Sequence, residues 1–260
     1  MKLITVLTAC LALVALPVAA DNAANADQAW LGLSLMDFQY KEFSDRGVLL
    51  DREDGPVPGI RLSGFAHRGG LLVGIEGSYL SGRVDYDGQL QDGRPHRTRT
   101  DETFVDVRLH LGRQLTPASK VYLGGGFRLW DRDILPSGGV AGLFERYTWL
   151  FLLAGGEQLL WQGGGHRFSL DAQLTYPLNP TMALNLDGSG EVTLDLGSRP
   201  GLRLVAPWRL RLASGRRLEV APFYEYWQLG RSPDVTVGYL VIHEPRSETS
   251  NFGVTLSLGF

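Results

Sequence analysis

Hydrophobic and polar residues alternate along most of the chain, and the alternation is cleanest in the final ten residues, N-F-G-V-T-L-S-L-G-F. In an extended strand Phe252, Val254, Leu256, Leu258 and Phe260 point one way, and Gly253, Thr255, Ser257 and Gly259 the other. One face is wholly apolar and the other small and polar. Strand-like segments recur near 29–42, 57–66, 70–84, 102–113, 120–131, 146–161, 166–177, 200–212, 217–229 and 250–260. Most are close to the roughly 9–11 residues of a tilted membrane-crossing strand. The connections alternate in length: short turns at 67–69, 114–119, 162–165 and 213–216, and long polar segments at 43–56, 86–101, 132–145, 178–199 and 230–249. A soluble sandwich has no reason to place every long loop at one end, whereas a bacterial barrel has short inner turns and long outer loops. The pattern predicts an all-β fold, a transmembrane antiparallel up-and-down β-barrel of about ten strands.

Charges in these segments fall on one face. Val105, Val107, Leu109 and Leu111 face out, leaving Asp106, Arg108 and His110 inside. Leu202, Leu204, Ala206, Trp208, Leu210 and Leu212 face out, with Arg203, Arg209 and Arg211 inside. Phe168, Leu170, Ala172, Leu174 and Tyr176 oppose Asp171 and Gln173, while Leu218, Val220, Pro222, Tyr224 and Tyr226 oppose Glu219 and Glu225. The segment 146–161 is apolar on both faces, and its parity stays open. A bulge at Gly155-Gly156 is one way to bring Glu157 inside. Aromatic girdles are expected at Trp30 and Trp161 near the inner rim, and at Tyr147, Trp149 and Tyr176 near the outer.

Met1-Lys2, the apolar run from Leu3 to Leu16 and the small residues before Asp21 form a secretory signal peptide. Cleavage is expected after Ala20, giving a signal peptide over 1–20 and a barrel domain over 21–260. Leu7-Thr8-Ala9-Cys10 also resembles a lipoprotein signal, but its apolar run is short and a second one follows. Cys10 is the chain's single cysteine, so the expected mature chain has neither disulfide nor thiolate chemistry. Past the leader no stretch reaches the roughly 18 apolar residues of a spanning helix. No basic run points to nucleic acid, and the glycine runs at 124–126 and 163–165 open no helix that could cradle phosphate. His166 has no His or Cys at ligand spacing, and no Gly-x-Ser-x-Gly elbow is present.

The predicted lumen gathers Arg61, Arg108, Arg128, Arg203, Arg209 and Arg211 with Glu76, Asp106, Glu157, Asp171, Glu219 and Glu225, and His110 among them. Charges in so narrow a space are expected to pair, since an unpaired buried charge is costly. A barrel of eight to ten strands is about filled by its own side chains, so the network reads as a salt-bridged plug. A selective pore or a proton relay is the functional alternative.

Asp85 and Asp87, in V-D-Y-D at the outer end of the third segment, point the same way and could hold a water between them. This stretch, the strand and loop layout and the closing N-F-x-x-x-x-L-x-x-F resemble the omptins, ten-stranded outer-membrane proteases. The resemblance implies a site at Asp85 and Asp87. Omptins complete that site with an Asp-x-His pair in the fourth long loop. The corresponding segment here, 178–199, contains Asp187, Glu191 and Asp195 but no His, and His96 and His243 fall in the second and fifth loops. The expectation is a surface barrel without enzymatic activity that serves envelope structure or binds ligands through its loops. An altered omptin-like hydrolase and a narrow solute channel are the alternatives. Expected partners are outer-membrane lipid, lipopolysaccharide and, through Phe260, the barrel-assembly machinery. Neither cofactor nor metal is expected, and the barrel is expected to be an outer-membrane monomer.

Overall fold

Period-two alternation becomes strand almost throughout. The computed structural model describes residues 28–260 apart from 69, 91, 187–189 and 239. The expected leader and Asp187 therefore lie outside the described residues. Seven long strands come first: β1 (Gln28–Phe43), β2 (Leu49–Arg68), β3 (Leu71–Gln89), β4 (Pro95–Thr116), β5 (Ser119–Ile134), β6 (Leu143–Gly163) and β7 (His166–Leu186). Four pieces follow, β8 (Gly190–Asp195), β9 (Gly197–Ser198), β10 (Gly201–Val205) and β11 (Trp208–Arg211). They lie in turn against β7 and β12 (Arg217–Gly230) and together make the eighth wall strand. Of the three breaks, one falls at Leu196 and two fall at Pro200 and Ala206-Pro207, where a proline has no N–H to give the ladder. A hairpin, β13 (Val235–Val237) and β14 (Leu240–Ile242), stands apart from the wall. The last strand, β15 (Arg246–Gly259), pairs with both β12 and β1, so the antiparallel ten-strand barrel closes.

The wall is taller than the apolar pattern predicts. β4 has 22 residues, about twice what a bilayer crossing needs. Leu33, Leu123, Leu174 and Phe252 are 63–68% exposed and belong to an outward apolar belt. Beyond that belt, towards the long loops, the outward positions turn charged: Lys41, Arg52, Arg83, Arg99 and Arg146. Segments 43–56, 86–101 and 178–199, expected as loops, are largely strand here. The ladder needs only backbone donors and acceptors, so it continues where apolar residues stop.

The final strand keeps the predicted parity, with Phe252, Val254, Leu256 and Phe260 outward. The open parity of 146–161 resolves without a switch at Gly155-Gly156. Tyr147, Trp149, Phe151, Leu153 and Glu157 all point inward and are buried. Phe151 fits because it faces glycine on β5, where a Cβ on Gly126 would meet the Phe151 ring. Trp30, Tyr147 and Trp149 are therefore not girdle residues, whereas Trp161 and Tyr176 are about half exposed on the outer wall.

Candidate functional site

The inward face of β5 gives the order of layers in the lumen: Lys120, Tyr122, Gly124, Gly126, Arg128, Trp130 and Arg132, from the short-turn end to the long-loop end. At the bottom Glu157 lies 2.7 Å from Lys120 and 3.0 Å from Arg209, which also holds Glu219 at 2.7 Å. Above it Arg61 pairs with Glu76, and the Tyr122 hydroxyl donates to Asp171 at 2.7 Å. His110 stacks on Tyr122, and both His110 and Arg203 lie 3.9 Å from Glu76. In the third layer Arg108 and Arg128 each hold both Asp106 and Glu225, at 2.6–2.8 Å. The layers thus hold six cations, Lys120, Arg61, Arg108, Arg128, Arg203 and Arg209, and six carboxylates, of which Glu76, Asp106, Glu157, Glu219 and Glu225 lie against cations and Asp171 is held by Tyr122 and Gln173. Lys120 joins the residues named from sequence. Arg211 is a correction: its residue is exposed at the short-turn rim, outside these pairs, because its strand piece ends there.

Space among these layers is small. One cavity of about 60 Å³ is lined by His110, Tyr122 and Glu157 among others, and one of about 40 Å³ by Arg108, Arg128 and Arg203 among others. Each has room for a few waters. Rings close the lumen above them. Trp130 stacks on Phe104 at 5.7 Å and on Tyr147 at 4.4 Å, with Phe38 at 5.3 Å from Phe104.

Over this aromatic stopper, beyond the apolar belt, the charge balance fails. Arg132 is buried with Glu42 at 2.7 Å, Asp51 at 3.1 Å, Glu53 at 3.0 Å and Glu145 at 2.8 Å. Its guanidinium sits over the Tyr40 ring, 4.7 Å from the centroid. Glu102, which accepts from the Trp130 indole, and Glu244, whose Oε1 lies 2.6 Å from the Tyr147 hydroxyl, complete the cluster. Six carboxylates from β1, β2, β4, β6 and the hairpin base thus cluster about one guanidinium, four of them in direct contact with it, and all six are buried. Asp51 Oδ1, Glu53 Oε2 and Glu102 Oε1 have no hydrogen-bond partner among the described residues. Burial, followed by the Glu42 charge, pushes Asp51 well above the usual carboxylate range. Burial and Glu53 do the same to Glu102, and burial with Glu42 and Glu145 to Glu244. Burial also disfavours the Arg132 charge, but the surrounding carboxylates outweigh it and hold the guanidinium ionised. No group of three or more described His, Cys, Asp or Glu side chains has the geometry of a metal site.

Sequence reasoning missed this cup because its residues lie in expected loops or at strand tips. A signal was present: Tyr40-x-Glu42, Asp51-x-Glu53, Thr100-x-Glu102, Trp130-x-Arg132 and Glu145-x-Tyr147 each repeat at period two. The Asp85/Asp87 pair named from sequence is placed differently. Both side chains lie on the outer wall, Asp87 3.1 Å from Arg97 and Asp85 3.9 Å from Arg99. The His96 ring packs 6.2 Å from Tyr86, which points to the other face of β3. His243 lies 3.3 Å from Asp234 in the hairpin loop. Asp85 and Asp87 point the same way, as expected, but on the outer wall and away from the lumen, because alternation turns them out where it turns Tyr86 in.

No family model matches the chain, and no curated protein sequence matches it. Among solved structures it is similar to the outer membrane protease OmpT of Escherichia coli, with TM-score 0.52 and 10% identity over 93% of this chain and 98% of that one. The Pseudomonas putida toluene transporter TodX matches with TM-score 0.42 and 11% identity over 95% and 92% of the two chains. The β-domain of the Bordetella autotransporter BrkA gives TM-score 0.42 and 12% identity over 90% and 99%. The likeness to OmpT is one of fold: the chain is an outer-membrane-type β-barrel.

Proposed function

We propose, for a chain with the outer-membrane barrel fold, a non-conducting surface protein that binds cationic groups at its long-loop end. The carrying observation is the acid cup, six buried carboxylates around one guanidinium, set above a lumen whose cations and carboxylates are equal in number. Uncompensated buried charge is costly, so the excess calls for protons or a positively charged ligand. Arg132 displays the chemistry the cup accepts: a delocalised cation held by several carboxylates and an aromatic face. The absence of a metal-like grouping among described residues favours an organic ammonium or guanidinium over a divalent ion. The aromatic stopper and the small cavities favour this reading over a solute channel. The belt would sit in outer-membrane lipid, with the Arg/Asp pairs of the outer wall at the level of lipopolysaccharide headgroups.

Calorimetric titration of the detergent-solubilised protein with spermine tests the binding. The expected result is an exothermic, salt-sensitive interaction that the Glu53→Gln/Glu102→Gln variant loses. Equal heats from parent and variant, or stepwise currents in planar bilayers, would overturn the proposal.

A further inference from the structure

The segment between β12 and β15 does not hang free over the barrel mouth. Val235 and Ile242, paired across the β13–β14 hairpin, pack against the aromatic core, whereas Val241 on its other face is 63% exposed. The hairpin is cinched at its base: the Ser232 N–H donates to the Glu244 carbonyl at 3.0 Å, and the Glu244 N–H donates to Ser232 Oγ at 2.8 Å. That base brings the Glu244 side chain into the acid cup, so the hairpin covers the cup and supplies part of its wall.

One phenol joins this lid to the barrel. Tyr147 Oη lies 2.6 Å from Glu244 Oε1 and 3.1 Å from Glu145 Oε2. A phenol carries a single proton and cannot donate to two carboxylates at once. With both acids ionised, one of the two contacts would be repulsion between an oxygen lone pair and a carboxylate. Glu145 is the ionised member, since Arg132 donates to its Oε2 at 2.8 Å. Glu244 has no ion-pair partner among the described residues, and Glu42 and Glu145 bear on it as like charges. A neutral Glu244 donating to Tyr147, while Tyr147 donates to Glu145, satisfies both contacts.

We propose that the hairpin is a proton-latched lid: one proton, carried by Glu244 and shared with Tyr147, holds it over the cup, and loss of that proton releases it. This rests on the reading of the cup as a binding site, and names its regulation. The titratable and charged groups around the latch are Glu42 and Tyr40 on β1, Glu145 on β6 and Arg132 on β5, and behind Arg132 stand Asp51 and Glu53 on β2, Tyr86 on β3 and Glu102 on β4. Only Arg132 among them is positive. On the solvent side Arg231 and His243 hold Asp234, and Arg231 reaches Asp45. Those exposed pairs contribute little. The direction follows: the latch holds at low pH and opens as the pH rises, when the cup also gains negative charge for a cationic ligand.

The test places a single thiol beneath the lid, Val235→Cys with Cys10→Ser, and measures maleimide labelling from about pH 5 to roughly pH 9, the range reached by buried carboxyls. The same thiol in a Glu244→Gln background is the reference. The amide still donates to Tyr147 but does not titrate, and it cancels thiol chemistry and the titration of His243. The expected parent-to-reference ratio is flat at low pH, then rises by about tenfold per pH unit once the latch proton is lost. A ratio that stays flat throughout overturns the proposal. Tyr147→Phe should label fast even at low pH, and slow labelling there also overturns it. Should that variant fail to assemble, the Glu244→Gln comparison decides alone. Spermine titration of the same samples separates the two readings. A lid that opens without spermine uptake upholds the latch and sinks the cup as a cation site. Spermine uptake with an unchanged labelling ratio sinks the latch and leaves the cup.

Discussion

Replacing Arg132 by Met removes the one cation of the cup while keeping most of the volume that packs over Tyr40. Four carboxylates within 2.7–3.1 Å lose their counterion together. Breaking a buried pair by deleting one partner costs about 3–5 kcal/mol, and here one deletion orphans four partners. The cup's escape is to take up protons. Holding a proton on a carboxyl of solution pKa about 4.3 costs roughly 5 kcal/mol at pH 8, but only about 1 kcal/mol at pH 5, at about 1.36 kcal/mol per pH unit. The Arg132→Met barrel should therefore be severely destabilised at pH 8 and largely rescued at pH 5, by about 4 kcal/mol for each proton taken up between those pH values. The assay is the urea midpoint of the detergent-folded barrel, read from the folded band on unboiled denaturing gels at both pH values. Arg83→Met, which breaks an exposed outer-wall pair with Asp101, is the control and should leave both midpoints unmoved. An Arg132→Met midpoint equal to the parent's at pH 8, or a loss of the same size at pH 5, would refute the reasoning that the cup is an uncompensated acid cluster.

Other consequences are independent of that variant. Asp85→Ala/Asp87→Ala should leave folding and spermine binding unchanged, because both carboxylates sit on the outer wall in exposed pairs; a loss of binding would return them to the site. Leu256→Arg puts a charge in the middle of the outward belt and should cost about 2–4 kcal/mol of barrel stability in lipid vesicles. An unchanged vesicle midpoint would mean that this face does not meet lipid. The raised pKa values of Asp51, Glu102 and Glu244 stabilise the long-loop end below the ordinary carboxylate range and lose that effect as the pH rises through the folded values. Amide hydrogen exchange of 232–244, corrected for intrinsic rate, should therefore show more protection at pH 5 than at pH 8. The opposite order would contradict the sign.

Much of the wall was readable because a strand has a period of two and this barrel turns one apolar face outward. Phe252 to Phe260 faces out by alternation alone, and the same rule sets Asp106, Arg108, Arg203 and Glu225 inward. It also holds answers that an unextended reading leaves out. Glu76 and Asp85 stand an odd number of positions apart on one continuous strand, so they cannot share a face. Trp149 and Glu157 stand an even number of positions apart and share one with no parity switch on β6.

The amino-acid sequence by itself thus determined the barrel, its apolar belt and the inward face on which most of its wall charges lie, since each follows from a local alternation of apolar and polar positions. Only the tertiary structure decided that the wall continues beyond the belt, that a ring stopper closes the lumen, and that the hairpin folds back over the mouth. It alone brings Glu42, Asp51, Glu53, Glu102, Glu145 and Glu244, spread over some two hundred residues, to one guanidinium. The physical reason is that beyond the belt neither wall face needs to be apolar, so the pattern falls silent. Which polar side chains meet is then set by strand register around a closed circle, a property of the whole ring and of no segment in it.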